Sequence, residues 1–345
     1  MAEGAIVGVS ATSVEVASIK PGDGAAIWAA DPSNILRQVG STEVGSFSHW
    51  FRISSTSQAL GPSSPEKSVD DMAPQHTRTG CIVRLVRIAT WNVNSLNARL
   101  GRVERWLQTF EPDVLCLQET KLADDAFPAL TFQALGYESL HHGEGRWNGV
   151  AILSRVGLVD PIGGFGDGDE PDIDARIAWA TCGGVRVASC YIPNGRSLDH
   201  EHYQYKLRWL DRLAADLNGQ CKPSDEVVVC GDFNVAPDDR DLWSPAKHEG
   251  QTHVSGPERD RITALETWGL VDVFREHHEE GGLFSWWDYR GGAFHKKQGM
   301  RIDLLMASRS IADATDLVVV DRNERKGPKD DPPSDHAPVL MELSR

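Results

Sequence analysis

From Arg84 onward, short apolar runs that predict strands alternate with stretches in which apolar residues recur at helical spacing. The strand-like runs are residues 85–93, 113–117, 149–154, 176–181, 185–192, 226–230, 284–289, 301–306, 316–320 and 337–342. Helices are predicted over residues 98–110 and 201–217. The segment 182–184 joins two of the strands like a hairpin turn. Hairpins mixed with helical crossovers predict an α/β (α+β) fold with a two-sheet core and helices outside.

Residues 1–80 lack this pattern. They are rich in Ser, Gly, Ala and Pro, and pieces such as 55–64 have neither helical nor strand periodicity. We therefore expect a mostly disordered N-terminal extension over 1–80 and a folded domain over 84–345. Two alternatives stay open: the extension is a regulatory or partner-binding arm, or the natural start lies downstream, near Met72 or Val83.

Composition narrows the class of protein. The chain has 345 residues, of which 40% are hydrophobic and 8% aromatic, which is enough material for a sizeable core and excludes a wholly disordered or collagen-like chain. Its 50 acidic and 35 basic residues give a net charge of -15. That charge argues against a passive polycation that coats nucleic acid, but it does not exclude an enzyme that acts on nucleic acid.

The cysteines and the apolar runs indicate the cellular compartment in which the protein is expected. The six cysteines, at 81, 116, 182, 190, 221 and 230, form no C-x-x-C pair and have no flanking histidines at zinc spacing. We therefore expect reduced thiols in a cytoplasmic protein without a structural zinc. The longest apolar runs fall far short of the roughly 20 residues of a membrane helix, and the first residues carry no positive region typical of a secretory signal.

Polar side chains close several of the apolar strands, where burial without partners would be costly. The residues concerned are Asn92, Glu119, Asp232, Asn234, Asp303, Asp335 and His336. Any single one of them is most often a turn former or a helix cap. As a set of carboxylate and amide oxygens without thiolates, they suit a hard cation such as Mg²⁺ or Mn²⁺. Because Mg²⁺ usually binds through a few carboxylates plus substrate phosphate, the set predicts phosphoryl chemistry.

Eight motifs in the body of the chain carry a resemblance to a known family. They are, in order, ATWNVNSLNAR, LQETK, NGVAILSR, YIPNG, GDFN, FSWWDYR, RIDLL and SDHAPV. Their order and content resemble the exodeoxyribonuclease III family of class II apurinic/apyrimidinic endonucleases, within the endonuclease/exonuclease/phosphatase superfamily. The resemblance implies a four-layer sandwich of two face-to-face mixed β-sheets flanked by helices, with an active site where strand ends meet. The segment before Arg84 lies outside it.

The same resemblance implies roles for the polar residues. Glu119 is the expected principal Mg²⁺ ligand, with Asn92 beside it and Asp335 on the far side of the metal region. Asp232 is the expected general base and Asn234 its neighbour that orients water or holds a phosphate oxygen. His336, oriented by Asp303, is expected to stabilise the transition state. Tyr191 and Asn194 are expected to contact phosphate. The predicted metal region comprises Asn92, Glu119, Asp232, Asn234, Asp335 and His336.

A local basic surface is needed if the substrate is duplex DNA, because phosphate contacts dominate its binding. The segment 289–301 contains four cations and no acid, and aromatic residues interleave with them. The predicted DNA-binding residues are Asn94, Arg99, Lys121, Asn194, Arg196, Trp286, Arg290, Lys296, Lys297 and Arg301. Trp287 is expected in the core instead, and the mixed-charge run 322–331 is expected to be a solvated loop.

The sequence therefore predicts a monomeric, Mg²⁺-dependent DNA repair nuclease. It is expected to cut 5′ to abasic sites in duplex DNA and to remove nucleotides or blocking groups from 3′ ends, as in base excision repair. Other members of the superfamily, which include deoxyribonuclease I-like nucleases, sphingomyelinases, inositol polyphosphate phosphatases and deadenylases, are the nearer rivals. A catalytically dead DNA-binding or scaffold protein on the same fold is the rival from a different class.

Overall fold

The computed structural model describes residues 85–345, so the predicted extension over 1–80 lies outside the described residues. Within that range the strands form two six-stranded sheets. The first sheet has the order β11 (Thr315–Val320), β12 (Val339–Ser344), β1 (Leu85–Asn92), β2 (Val114–Gln118), β4 (Val150–Ser154) and β3 (Glu138–His142). The second has the order β5 (Val159–Gly163), β6 (Ile177–Cys182), β7 (Val185–Tyr191), β8 (Val227–Asp232), β10 (Asp303–Ser308) and β9 (Leu270–Asp272).

The helices are α1 (Leu96–Phe110), α2 (Ala129–Ala134), α3 (Glu201–Gln220), α4 (Pro245–His248), α5 (Gly256–Trp268), α6 (Val273–His277) and α7 (Arg309–Asp313). Helices α1 and α2 pack on the outer face of the first sheet and α3 and α5 on that of the second, while α6 and α7 pack against the core between the sheets. Strand residues alternate between two apolar layers, since Ile88 packs between the sheets while Ala89 packs under α1 with Trp106. The second sheet is arranged in the same way, with Val228 between the sheets and Val229 under α3. The predicted four-layer sandwich is confirmed.

Each sheet contains one parallel pair of strands, and these pairs bring polar strand ends to one edge. In the first sheet β1 runs parallel to β2, with Asn92 opposite Gln118. In the second sheet β7 runs parallel to β8, with Tyr191 opposite Asp232. Strand β10 begins at this edge because it runs antiparallel to β8 and pairs Asp303 with Asp232.

The predicted hairpin is present between β6 and β7. Its turn consists of Gly183 and Gly184, which have φ values of 57° and 90°. Both values lie in the left-handed region that a two-residue type I′ turn requires, and glycine adopts it without a side-chain penalty.

The strand predicted over 284–289 is wrong. This segment is irregular and makes only isolated bridges, in which Trp286 pairs with Met300 and with His336. Its alternating aromatic residues resemble a strand pattern, but Phe284 and Trp287 pack in the core between the sheets while Trp286 packs against a separate cluster that contains Met300. The segment 301–306 also starts late as a strand, because Arg301 and Ile302 precede β10.

Three strands and one long helix were not anticipated. Strand β3 has few apolar residues, β5 is an exposed edge strand that contains Pro161, and β9 has only three residues. Helix α5 does have a sequence signal, because Ser255 and Glu258 form a capping box and Pro257 lies in its first turn. Among the described residues, no helix is both long and apolar enough to cross a membrane.

Candidate active site

The site lies in the loops that follow the parallel strands, where several non-glycine residues adopt left-handed backbone conformations. Glu119 follows β2 with a φ of 53°, and Asn234 follows β8 with a φ of 50°. Non-glycine residues rarely occupy this region, and such conformations persist only where surrounding contacts hold them. Both side chains are thereby turned toward the edge shared by the two sheets.

Asn92 links the two carboxylates at the centre. Its Nδ2 donates to Glu119 Oε1 and to Asp232 Oδ2, both at 2.9 Å. Its Oδ1 accepts from the main-chain N–H of Asn94 at 2.9 Å. Asn92 therefore offers its amide nitrogen, and not its oxygen, toward the carboxylates, so its predicted role as a metal ligand requires the amide to turn over.

Asp232 is a buried carboxylate that accepts hydrogen bonds from both parts of Asn234 as well as from Asn92. The main-chain N–H of Asn234 donates to Oδ1 at 2.9 Å, and the Asn234 side chain donates to Oδ2 at 3.2 Å. Burial raises the pKa of Asp232, the His336 cation lowers it, and Asp303 and Glu119 raise it again, to about 7. A carboxyl group with a pKa near neutrality is suited to take up and release a proton during turnover.

His336 is a buried imidazole held between two carboxylates. Its Nδ1 lies 2.9 Å from Asp303 Oδ2, and its Nε2 lies 3.7 Å from Asp232 Oδ2. Burial disfavours the charged ring, but Asp303 and then Asp232 outweigh it and raise the pKa of His336 to about 10. The geometry thus supplies a fixed cation, with Nδ1 donating to Asp303 and Nε2 directed at the site.

Tyr191 forms one wall of the site from the end of β7. The Arg176 guanidinium lies 4.7 Å from the centre of its ring. Burial and then the nearby Glu119 raise the pKa of Tyr191 well above its usual value, so the phenol stays protonated. It can therefore donate a hydrogen bond to an anionic group in the cavity.

Asp335 is a further carboxylate that lines the same cavity. It accepts from Asn94 Nδ2 at 2.9 Å and from Trp286 Nε1 at 3.2 Å. Burial alone would raise the pKa of Asp335, but His336 and these hydrogen bonds keep it below the usual value. Lys121 contacts both Asn94 and Glu119, with its Nζ 2.6 Å from Asn94 Oδ1 and 2.9 Å from Glu119 Oε2.

The site contains a small polar cavity of about 180 Å³. Its lining residues are Glu119, Tyr191, Asn194, Asp232, Asn234, His253, Trp286, Met300, Ile302, Asp335 and His336. A cavity of this size is smaller than the usual site for a drug-sized ligand and matches a phosphate or sugar group. The lining contains seven of the residues that the sequence assigned to metal binding, catalysis or phosphate contact, together with Trp286.

The acidic centre fits a hard cation. Potential ligand atoms of Glu119, Asp232 and His336 all lie within 4.8 Å of one another. Because His336 holds a proton on Nδ1 and has a raised pKa, the two carboxylates are the better oxygen donors of this group. The roles predicted for individual ligands stay predictions.

The predicted DNA-binding residues differ in exposure, since Asn94, Arg99, Lys121 and Trp286 are half-buried and Asn194 is exposed. Arg196, Lys296 and Lys297 are exposed, and Arg290 is exposed but paired with Asp288 at 2.8 Å. The prediction for Arg301 is wrong, because this side chain is fully buried. It makes ion pairs with Asp241 at 2.6 Å and Asp272 at 2.7 Å, so it holds the fold together and cannot reach a phosphate.

The structure buries Trp287 and part of the run 322–331. Trp287 is fully buried, as expected for a core residue. The run 322–331 is only partly the solvated loop that its mixed charge predicted, because Arg325 is 7% exposed. Its guanidinium packs 5.3 Å from the Tyr289 ring and 5.1 Å from the Phe294 ring. Alternating charge in the sequence did not reveal this aromatic environment.

Sequence reasoning missed several residues at or near the site. His253 lines the cavity, and its Nδ1 lies 2.5 Å from the Asn234 carbonyl. Trp147 is 59% exposed with the Arg146 guanidinium 4.7 Å from its ring, in the loop whose Asn148 carbonyl accepts from the Lys121 N–H. His253 comes from a loop distant from the motifs, and Trp147 directly precedes the NGVAILSR motif but is not part of it.

Fold and site together define a phosphoester hydrolase of the two-sheet, four-layer class, with an acidic cluster that could hold a metal ion. Residues 89–336 match the model of the endonuclease/exonuclease/phosphatase family. The chain belongs to this family, as the eight motifs implied.

Relatives and solved structures place it beside exodeoxyribonuclease III. The chain is 32% identical over 270 residues to "Exodeoxyribonuclease III" of Haemophilus influenzae, covering 75% of this chain and 100% of that protein. An AP endonuclease structure from Archaeoglobus fulgidus matches with a TM-score of 0.71 and 36% identity, covering 74% of this chain and 98% of that one. A 3′ phosphatase from Neisseria, bound to a product DNA hairpin, matches with a TM-score of 0.71 and 39% identity, covering 75% and 99%. The predicted family and enzyme class are confirmed.

Proposed function

We propose that this protein is a Mg²⁺-dependent DNA repair nuclease that hydrolyses phosphodiesters 5′ to abasic sites and removes nucleotides or blocking groups from 3′ ends. The observation that carries the proposal is the convergence of Glu119, Asp232 and His336 at one small polar cavity. The named activities of the relatives support the same reaction class.

The side chains divide the work of hydrolysis. Asp232, with a pKa of about 7, accepts the proton of the attacking water, which Asn234 orients from beside it. The His336 cation and the protonated Tyr191 face the phosphate and stabilise the charge that develops on its oxygens. Asp303 fixes the His336 ring by accepting from Nδ1. A Mg²⁺ or Mn²⁺ ion held by Glu119, with Asn92, Asp335 and the remaining oxygens nearby, would supply Lewis-acid stabilisation.

DNA would be held around the cavity by exposed cations and aromatic faces. Lys296, Lys297 and Arg196 offer phosphate contacts, and Trp286 presents an edge to the cavity suited to a base-free sugar. Arg99 and Asn94 are half-buried and already hydrogen-bonded to each other, so their part would be to shape the rim. The Arg146–Trp147 pair adds a stacking face on the Lys121 side.

The same proposal includes a monomer in the cytoplasm. The cysteines that the structure describes are free and buried, which agrees with reduced thiols in a reducing compartment.

The test is cleavage of a duplex that carries a single tetrahydrofuran abasic analogue. We expect an incision on its 5′ side with Mg²⁺ that stops with EDTA, and trimming of a 3′-phosphate in a second duplex. Absence of DNA cleavage together with hydrolysis of an inositol polyphosphate or a phosphoinositide would overturn the proposal in favour of another branch of the family. DNA binding without any hydrolysis would favour the scaffold alternative.

A further inference from the structure

A buried ion pair lies directly behind the active-site loops. Lys206 of α3 and Glu258 of α5 are both 0% exposed, with Nζ 2.5 Å from Oε1. A buried pair of this kind is weak evidence for stability, because removing two charges from water offsets much of their attraction. Neither Lys206 nor Glu258 has a role in the proposed hydrolysis.

Lys206 donates to the main chains of both phosphate-side loops. Its Nζ lies 2.6 Å from the Asn234 carbonyl oxygen and 3.4 Å from that of Asn194. The first loop follows β8 and the second follows β7, so one ammonium group bridges the ends of two neighbouring strands. An ammonium with three N–H donors is suited to this arrangement, since its third donor reaches Glu258.

Glu258 extends the connection to a third loop. Its Oε1 accepts from Thr252 Oγ1 at 2.8 Å and from the His253 N–H at 2.9 Å, while Oε2 accepts from the Ser255 N–H at 3.0 Å. His253 and Asn194 line the cavity. The carboxylate therefore fixes the loop that carries His253 while it holds Lys206 in position.

The loops held in this way need an external restraint. Asn234 has a φ of 50°, a conformation that a non-glycine residue seldom adopts unaided. Gly195 has a φ of 89°, and a Cβ there would lie 2.6 Å from Thr252 Oγ1 and 3.2 Å from Lys206 Cδ. The YIPNG turn is thus packed closely against the ion pair, which explains why its last residue is glycine.

The side chains of these loops set the position of the proposed base. Asn194 Nδ2 donates to Asn234 Oδ1 at 3.1 Å, and Asn234 donates to Asp232. A shift of the Asn234 main chain would therefore be passed to Asp232 through its own hydrogen bonds. Misplacement of reacting groups by about 1 Å can reduce a rate by about 100-fold.

We propose that Lys206, held by Glu258, is a positioning residue that clamps the loops after β7 and β8 and so fixes Asn194, Asn234 and Asp232 for catalysis. The expected loss of activity rests on the proposed hydrolysis. The restraint of the loops after β7 and β8 by Lys206 does not depend on it.

The kinetic test compares Lys206→Met, Lys206→Arg and the charge-free pair Lys206→Met with Glu258→Met. We expect kcat on the abasic duplex to fall about 10- to 100-fold in both methionine variants. KM should change less than about threefold, because the exposed DNA contacts are untouched. The arginine variant should recover part of kcat, since it can still donate to the carbonyls.

A purely structural role predicts a different result. Leu213 is a buried core residue of α3, the helix that carries Lys206. Leu213→Ala is therefore the matched control for lost stability. If Leu213→Ala lowers the thermal stability as much as the Lys206→Met variants do, it should still keep the wild-type kcat. The Lys206→Met variants should lose kcat. If the charge-free pair keeps kcat within about twofold of the wild type, the clamp is refuted.

Hydrogen exchange gives a readout that does not depend on activity. Amide exchange should rise in residues 192–197 and 233–237 of the Lys206 variants and stay unchanged in β4. Unchanged exchange in both loops would overturn the clamp even if the enzyme is active. A wild-type protein that hydrolyses no phosphodiester would overturn the proposed function, and the exchange measurement would still decide the clamp.

Discussion

Replacing Asp232 by Asn is the most direct perturbation of the proposed base. Asp232 is 1% exposed and accepts from Asn92, from the Asn234 side chain and from the Asn234 main chain. An asparagine can keep its oxygen toward the two side-chain donors only by turning its NH₂ toward the Asn234 N–H, so one hydrogen bond is lost. Leaving the buried Asn234 N–H without its acceptor costs about 1 to 3 kcal/mol, which the fold can tolerate.

The catalytic cost should be much larger. General base catalysis typically contributes about 10²- to 10⁴-fold, equivalent to about 3 to 5 kcal/mol of transition-state stabilisation. We expect kcat of Asp232→Asn to fall by that factor while the affinity for abasic duplex stays within about threefold. The assay is single-turnover incision of an end-labelled tetrahydrofuran duplex, with binding followed by fluorescence anisotropy in EDTA.

The control for this substitution is Asp211→Asn. Asp211 is an exposed carboxylate on α3 whose side chain pairs with Arg261 at 2.8 Å, away from the cavity. It should retain wild-type turnover, since an exposed pair contributes little. Turnover of Asp232→Asn within about tenfold of the wild type would refute the base assignment, because it would leave no room for the expected contribution.

Three further measurements test the electrostatics of the site and the corrected surface. Asp303→Asn should lower the pKa of His336 from about 10 toward its ordinary value of 6.5, which NMR titration of the imidazole in metal-free protein would follow; an unchanged pKa would show that Asp303 is not its main cause. Burial and Lys206 lower the pKa of His253 to about 4, so the unfolded chain binds a proton below about pH 6.5 that the folded protein does not, and stability falls with decreasing pH across that window. Urea unfolding should show His253→Gln losing less stability than the wild type between pH 6.5 and 4; equal losses would count against it. Arg301→Met should lower the free energy of unfolding by about 3 to 5 kcal/mol and leave the DNA affinity unchanged. Lys297→Ala should weaken DNA binding and lower its salt dependence. The reverse pattern would show that Arg301 contacts DNA.

The fold was predictable where a strand is buried on both faces. Strand β1 lies between the inter-sheet core and the α1 layer, and β8 lies between that core and α3, so both are short apolar runs that predict strands. Edge strand β5 has Pro161 and mostly exposed residues, so it contains no apolar run that would predict a strand. The segment 284–289 has the alternation but not the partners, because its neighbours belong to loops.

The site was predictable where a polar residue lies at one end of a buried strand, since Asn92 and Asp232 are the last residues of β1 and β8 and Asp303 is the first of β10. Arg301 could not be assigned from its neighbours in the sequence, because its partners Asp241 and Asp272 come from a short 3₁₀ helix and from β9, which only the fold brings together. His253 and Lys206 were missed for the same reason. Their importance comes from main-chain carbonyls, which carry no residue-type signal.

The wide spacing of the motifs follows from how the two sheets share the site. Asn92 and Glu119 come from the parallel pair of the first sheet, and Tyr191 and Asp232 come from the parallel pair of the second. Asn92 Nδ2 spans the gap between the sheets by donating to Glu119 and Asp232 together. Neither sheet alone could assemble this centre, so each motif by itself indicates little. Their complete ordered set indicates the site, because only a chain that builds both sheets needs all of them.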